Sequence, residues 1–220
     1  MTVFMSKYAE EIWRTMYPLI GKSCYIPNGV NKEIFVPREK DLSRLIFCSH
    51  PNRGMKRLPW IFQCIRARVN KEIFLDVYSG HSMYPSEKEM DDHTDEWDFG
   101  KEDEEFVNIN FREPVPQKEL AVELGHAGMM IMPTAYPEIC SNNILQSLAC
   151  GTPVITTGRL GSACEWVKDG INGCLTRFHP QDYVTYQVEM VRNAVRLLDD
   201  ERLHYKLINK AAKTKILSRS

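Results

Sequence analysis

The sequence predicts a single doubly wound α/β domain on a parallel sheet, and three observations carry the prediction. Short apolar runs alternate with segments of helical period, the pattern of strands covered by helices. Glycine and proline fall between these segments, as in Pro27-Asn28-Gly29 and Gly151-Thr152-Pro153, where they punctuate without interrupting. At 220 residues, 43% hydrophobic and 26% charged, the chain has the length and balance for one large domain with a buried core.

Taken in order, the opening segment carries Ala9, Ile12, Trp13, Met16 and Ile20 at helical spacing and predicts an amphipathic helix. A strand is expected at Cys24-Tyr25-Ile26, closed by the Pro-Asn-Gly turn. Further strands are expected at Leu45 to Cys48, Ile73 to Tyr78, Phe106 to Ile109, Gly128 to Met132 and Pro153 to Thr156. Leu58, Ile61, Phe62, Ile65 and Val69 share one helical face, with Pro59 tolerated in the first turn. Val184, Val188, Val191, Val195 and Leu198 define a long helix, and a last one is expected from about Asp200 to Lys213. There is no internal repeat. Residues 1–22 read as a lead-in and residues 23–220 as the domain, with an acidic loop at about 81–105.

Charge and cysteine content narrow the function classes. The formal net charge is −1, so no general attraction to nucleic acid or anionic membrane is expected. Between Glu87 and Glu105 there are 11 acidic residues against two lysines, a local net charge of −9 that reads as a solvated loop. The seven cysteines are scattered and never spaced C-x-x-C, which fits reduced core thiols in a cytoplasmic protein. Neither a signal segment nor an apolar run long enough to span a bilayer is present, which leaves peripheral membrane attachment open.

The chemistry concentrates in Pro133-Thr134-Ala135-Tyr136-Pro137-Glu138-Ile139-Cys140-Ser141-Asn142-Asn143 and the segment Ile144 to Ile155 behind it. This stretch reads strand, loop, helix, stop, strand. Ser141 or Asn142 can cap the helix, Gly151 can end it in the left-handed conformation, and Pro153 forbids its continuation. A helix N-terminus at the carboxyl end of a strand offers free N–H groups and a positive dipole end to a phosphate. Glu138 stands just upstream, placed to accept hydrogen bonds from hydroxyl groups, and Gln146 lies within the helix.

These residues resemble the signature of the group 1 (family 4) glycosyltransferases, enzymes with two Rossmann-like domains in the GT-B architecture. The family pattern is proline, glutamate, seven residues, a second glutamate, then small residues into Gly-x-Pro-Val-Ile. Glu138 takes the first glutamate position and Gln146 the second, a departure from the pattern. The resemblance implies that Glu138 contacts the donor sugar, as the residue nearest the chemistry. It implies that the backbone of Ile139, Cys140, Ser141, Asn142 and Asn143 holds sugar and diphosphate, and that Gln146 meets the ribose. A glutamine can still hydrogen-bond a ribose diol but forgoes a charge-assisted bond, a deficit of roughly 1–2 kcal/mol.

Three further segments match in the same order. Tyr25 to Asn31, with Phe35 and Pro37, resembles the opening of the family's second domain. Cys48 to Met55 resembles the loop after its first strand, where a basic residue before a glycine contacts the diphosphate. Arg53 and Gly54 fill those places, with Lys56 in reserve. Asn110 to Val115, including Pro114 and Val115, resembles the loop bordering the base, and Gly161 to Gly173 resembles a late segment of the family. The implied activity is sugar transfer from a nucleotide-diphosphate sugar to an unknown acceptor, with retention and without metal or other cofactor. Met1 to Gly21 then resembles the tail of a first domain, so the acceptor-holding half is expected in cis or in trans and the isolated chain is expected to transfer little. The alternative is a non-catalytic nucleotide-sugar-binding module or a subunit of a split transferase.

Competing signals are weak. Asp91, Asp92 and His93 sit in an acidic run, and no Asp-x-Asp triplet of the metal-dependent kind is present. His50 and His126 have no partner spacing that supports catalysis. Gly158-x-x-Gly161 follows a strand, but the first strand lacks the G-x-G-x-x-G of dinucleotide binders.

Overall fold

In the computed structural model, which describes residues 1–18, 20–79 and 106–218, the apolar runs become a six-stranded, all-parallel sheet. Its strands are β3 (Asp41–Cys48), β4 (Phe74–Tyr78), β5 (Ile109–Arg112), β6 (Ala127–Met132), β7 (Val154–Thr157) and β8 (Gly173–Thr176). They lie in the order β5-β4-β3-β6-β7-β8. Two other strands, β1 (Thr2–Phe4) and β2 (Ser23–Tyr25), pair in parallel with each other, Thr2 opposite Ser23 and Phe4 opposite Tyr25. The acidic stretch, with Asp91, Asp92 and His93, lies outside the described residues.

Helices connect the strands: α1 (Lys7–Met16), α2 (Leu58–Arg66), α3 (Gln117–His126), α4 (Asn142–Ala149), the single turn α5 (Ala163–Trp166), α6 (Tyr183–Asp199) and α7 (Glu201–Ala211). No described helix is long and apolar enough to cross a membrane. From β3 the chain winds outward through α2 to β4 and β5, then returns through α3 to β6 and winds the other way through α4 and α5 to β7 and β8. Right-handed crossovers in opposite directions place the covering helices on opposite faces of the sheet. α2 packs against α6, which lies on β7 and β8, while α3 lies on β3 and β6 beside α4.

The central strands explain the stability of this frame. Leu45, Ile46 and Phe47 of β3 are completely buried, as are Met129 of β6 and both Val154 and Ile155 of β7. Each such side chain contributes roughly 1.5–3 kcal/mol by leaving water. The register sets Ile46 opposite Met130, and Ile131 opposite Ile155. Beyond α4, Gly151 takes φ +72°, and its N–H donates to the Leu148 carbonyl at 3.0 Å, so the helix ends as its sequence predicts. The chain finally returns to the start of the domain, where the Val30 N–H donates to the Leu217 carbonyl at 2.9 Å.

Several expectations need correction. The strand expected at Phe106 to Ile109 begins only at Ile109, because Asn108 adopts φ +63° and turns the chain. Its side chain donates to the Ile73 carbonyl at 3.1 Å, while Phe106 packs edge-on against Phe111 with ring centres 5.7 Å apart. Ile20 lies beyond α1, and while Ala9 of that helix is buried, Ile12, Trp13 and Met16 are all exposed. Helical period reports a face, not what covers it. Of the cysteines, all unpaired, Cys48, Cys150 and Cys174 are buried core thiols, whereas Cys164 is exposed.

Candidate functional site

β3 and β6 are neighbours from which the chain departs in opposite directions, so a crevice opens beyond their carboxyl ends at Cys48 and Met132. The crevice is a cleft of about 530 Å³. The loop after β3 supplies His50 and Arg53, the loop after β6 supplies Glu138 and Cys140, and α4 supplies Asn142, Asn143 and Gln146. Pro114 and Val115 close the far side beside Tyr78 and Gln117.

The loop after β3 is shaped by two 3-10 turns, Pro51–Arg53 and Met55–Arg57, joined at Gly54. Gly54 takes φ +101°, and a Cβ there would stand 2.1 Å from the Pro133 carbonyl oxygen. Only glycine lets the loop bend this way while pressed against the end of β6. The bend delivers Arg53 to Glu138, Nε to Oε1 at 2.5 Å, with side chains 23% and 16% exposed. The guanidinium carbon also lies 3.4 Å above the centre of the Tyr136 ring, so ring and carboxylate together fix the arginine. Burial pushes the Glu138 carboxyl above its ordinary range, and the Arg53 charge beside it works in the opposite direction.

Glu138 is itself held from behind. Its backbone carbonyl accepts from the Ser162 N–H at 2.8 Å. Gly161, at φ +73°, lies so close that a Cβ would come within 2.7 Å of the Glu138 nitrogen. The Gly158 and Gly161 pair therefore serves close packing: Gly158 faces the Thr176 carbonyl in the same way.

At the start of α4, Ser141 occupies the cap position but makes no capping hydrogen bond; its Oγ faces the Met132 sulfur at 4.0 Å. Asn142 does not cap either, because its Oδ1 accepts from Asn28 Nδ2 at 2.8 Å. The first-turn N–H groups thus lack a side-chain acceptor and face the cleft with the positive end of the helix dipole. Asn143 Nδ2 donates to the Cys48 carbonyl and ties α4 to the end of β3.

The structure therefore brings together Arg53, Glu138, Cys140, Ser141, Asn142, Asn143, Gln146, Pro114 and Val115, with Gly54 beneath them. Two other expected residues are not among those lining the cleft. Lys56 is exposed on the second 3-10 turn, outside the residues lining the cleft. Ile139 is 42% exposed and faces an apolar hollow formed with Val3, Met5, Trp13 and Tyr17. Tyr136, Gly161, Ser162 and Asn28 were not expected at the site. Tyr136 sits two residues before Glu138, a spacing that gave the one available hint. Among the described residues, no group of three or more His, Cys, Asp or Glu side chains converges as metal ligands.

Comparison with known proteins identifies the family and the fold. The family "Glycosyl transferases group 1" matches residues 43–200. No curated protein sequence matches the chain. Among solved structures, TarM superposes with a TM-score of 0.71 at 14% identity, covering 96% of this chain and 39% of TarM. Anabaena HepE, solved with UDP and glucose, gives 0.70 at 15% identity, covering 96% and 56% respectively. Sucrose-phosphate synthase from Thermosynechococcus elongatus gives 0.68 at 19% identity, covering 96% and 52%. The chain thus spans roughly half or less of the length of these relatives, and the likeness defines its fold as one Rossmann-like half of a GT-B transferase. By its family match over residues 43–200, this chain belongs to the group 1 glycosyltransferases.

Proposed function

We propose that the chain is the donor-binding half of a glycosyltransferase, taking a sugar from a nucleotide-diphosphate sugar for delivery to an acceptor held by a companion domain. The observation that carries this reading is the convergence of Arg53, Glu138 and the uncapped start of α4 in one cleft. A guanidinium fork and helix N–H groups suit a diphosphate, and a half-buried carboxylate suits sugar hydroxyls. HepE was solved with UDP and glucose, which supports a donor of this class.

In the reaction, the bond between the anomeric carbon and the diphosphate oxygen breaks, the acceptor hydroxyl oxygen bonds to the same carbon with its configuration retained, and the hydroxyl proton passes to the departing diphosphate. Arg53 and the α4 N-terminus stabilise the charge gathering on the departing diphosphate, the work a metal does in other transferases. Glu138 orients the sugar. Pro114 and Val115 border the base, and Gln146 is assigned to the ribose. Lys56 stays in reserve for the diphosphate and Ile139 for the sugar through its backbone. A cytoplasmic, metal-independent enzyme that needs its companion domain for turnover completes the reading. Gln146, where the family carries glutamate, favours a second reading in which the chain is a non-catalytic nucleotide-sugar-binding subunit.

Calorimetric titration with UDP, GDP, ADP and their glucose conjugates, with and without magnesium, tests the proposal. Metal-independent binding of one base series, weakened about 10- to 100-fold by Arg53→Ala and by Glu138→Ala, is expected. Absence of binding by the folded chain to every member refutes it. Turnover after addition of the companion domain separates the enzyme from the non-catalytic subunit.

A further inference from the structure

Arg53 and Glu138 are assigned to different parts of the donor, yet they hold each other. The contact is close, 2.5 Å, and both side chains are largely withdrawn from solvent. Neither group is therefore waiting in water for its ligand. Whatever takes Arg53 also removes the partner that makes an ionised Glu138 tolerable in its buried place. Tyr136 adds an asymmetry, since its ring supports the guanidinium at 3.4 Å whichever anion the arginine faces. The arginine can change partners without losing that support, whereas the Glu138 backbone is held in place by Ser162 and Gly161 behind it.

We propose, on the basis of the donor-site assignment, that the Arg53–Glu138 pair is an exchange latch that makes the cleft prefer an intact nucleotide sugar to the spent nucleoside diphosphate. The diphosphate of either ligand takes Arg53. Only the intact donor brings hydroxyl groups that donate to the carboxylate so released. The spent diphosphate leaves Glu138 buried beside new negative charge, and the carboxyl answers by taking a proton from solution.

The titratable groups surrounding this event are Arg53 and His50 from the loop after β3, Tyr136 and Cys140 from the loop that carries Glu138, and Glu165 of α5. Gly161 and Ser162, which back the loop, bring none. Binding of the diphosphate is then linked to proton uptake and weakens as pH rises through the window between the free and the complexed carboxyl. In that window the limit for one linked proton is about tenfold per pH unit. Binding of the nucleotide sugar lacks this linkage, so the preference for donor over product grows with pH.

The test is calorimetric titration of the full chain with UDP, GDP and ADP and with their glucose conjugates, from pH 5.5 to 8.5, in two buffers of different ionisation enthalpy. The expected result is net proton uptake for the diphosphate that exceeds uptake for its glucose conjugate. Glu138→Gln, checked for folding by circular dichroism, should lower the proton uptake of the diphosphate while leaving that of its glucose conjugate unchanged. The contributions of His50 and of the phosphate's own ionisation persist in the variant and cancel when it is compared with the wild-type chain. Proton uptake by the diphosphate that is the same in Glu138→Gln as in the wild-type chain overturns the latch and leaves the donor site standing. Failure of every ligand to bind overturns the donor-site reading, and the latch with it.

Discussion

Gly54→Ala offers a sharp test of how the cleft is built, because two separate penalties act at that position. The first is conformational: φ +101° is a backbone region that L residues avoid, at a cost of about 1–2 kcal/mol. The second is steric. An ideal Cβ would stand 2.1 Å from the Pro133 carbonyl oxygen and 2.5 Å from its carbon, both backbone atoms that no side-chain rotation can move aside. Forcing such an overlap adds about 1–3 kcal/mol. The sum, about 2–5 kcal/mol, corresponds to a fall in Tm of roughly 5–15 °C for a chain of this size. Two control substitutions separate the terms. Gly170 has φ +69° but nothing within 4 Å of its Cβ position, so Gly170→Ala should show the conformational cost alone, about 1 kcal/mol. Gly21 has open space and no positive φ, so Gly21→Ala should be neutral or slightly stabilising. Differential scanning calorimetry of the three variants reads the series directly. If Gly54→Ala melts no lower than Gly170→Ala, the close approach to Pro133 is not what shapes the Arg53 loop.

Other predictions bear on the lead-in unit. The Glu165 carboxylate accepts from the Lys7 and Tyr8 N–H groups at 3.0 and 2.9 Å and, with Ser6, closes the start of α1. Glu165→Ala should cost about 1–3 kcal/mol locally, seen as faster amide exchange through α1 with the main sheet unaffected; unchanged exchange would remove that anchor. Hydrogen bonds from Ser23, Tyr25 and Arg14 hold the Glu10 carboxyl down at about 2, against an ordinary 4.5. Because the folded value is depressed, its contribution is present above pH 4.5 and is lost as pH falls toward 2. NMR shifts of the α1 amides should move in that acid window, and Glu10→Gln should abolish the movement. Together with the binding and proton-uptake experiments above, these measurements test the frame and the cleft separately.

The parts of this protein most legible in its sequence are those governed by local chemistry. The β6–α4–β7 passage could be read because Gly151 and Pro153 act on their own backbone. Burial of β3 followed from an apolar run that suits only an interior strand. Other features depend on residues distant in the chain. Nothing local in Glu165 announces that it meets Lys7 and Tyr8, 158 and 157 residues away. The role of Gly161 depends equally on Glu138 being its neighbour in space. Asn108 misled the reading of β5 because its left-handed turn interrupts an otherwise apolar run, and asparagine permits that conformation without requiring it. At the site, Arg53 and Glu138 were each identified by pattern, but their mutual contact was not, since a pattern of residues carries no distances.

The strand order also has a consequence for how the chain reaches this structure. β3 pairs on one side with β6, Ile46 against Met130, so a central strand must wait through the intervening chain for its second neighbour. At the usual pace of synthesis, about 5–20 residues per second, that interval is roughly 4–17 s. Throughout it β3 presents an unpaired edge bearing Leu45, Ile46 and Phe47, a template for pairing with another unfinished chain. The same adjacency of β3 and β6 that opens the cleft makes the protein's early life its most aggregation-prone stage, and ribosome-proximal chaperones are expected to matter most while that edge is bare.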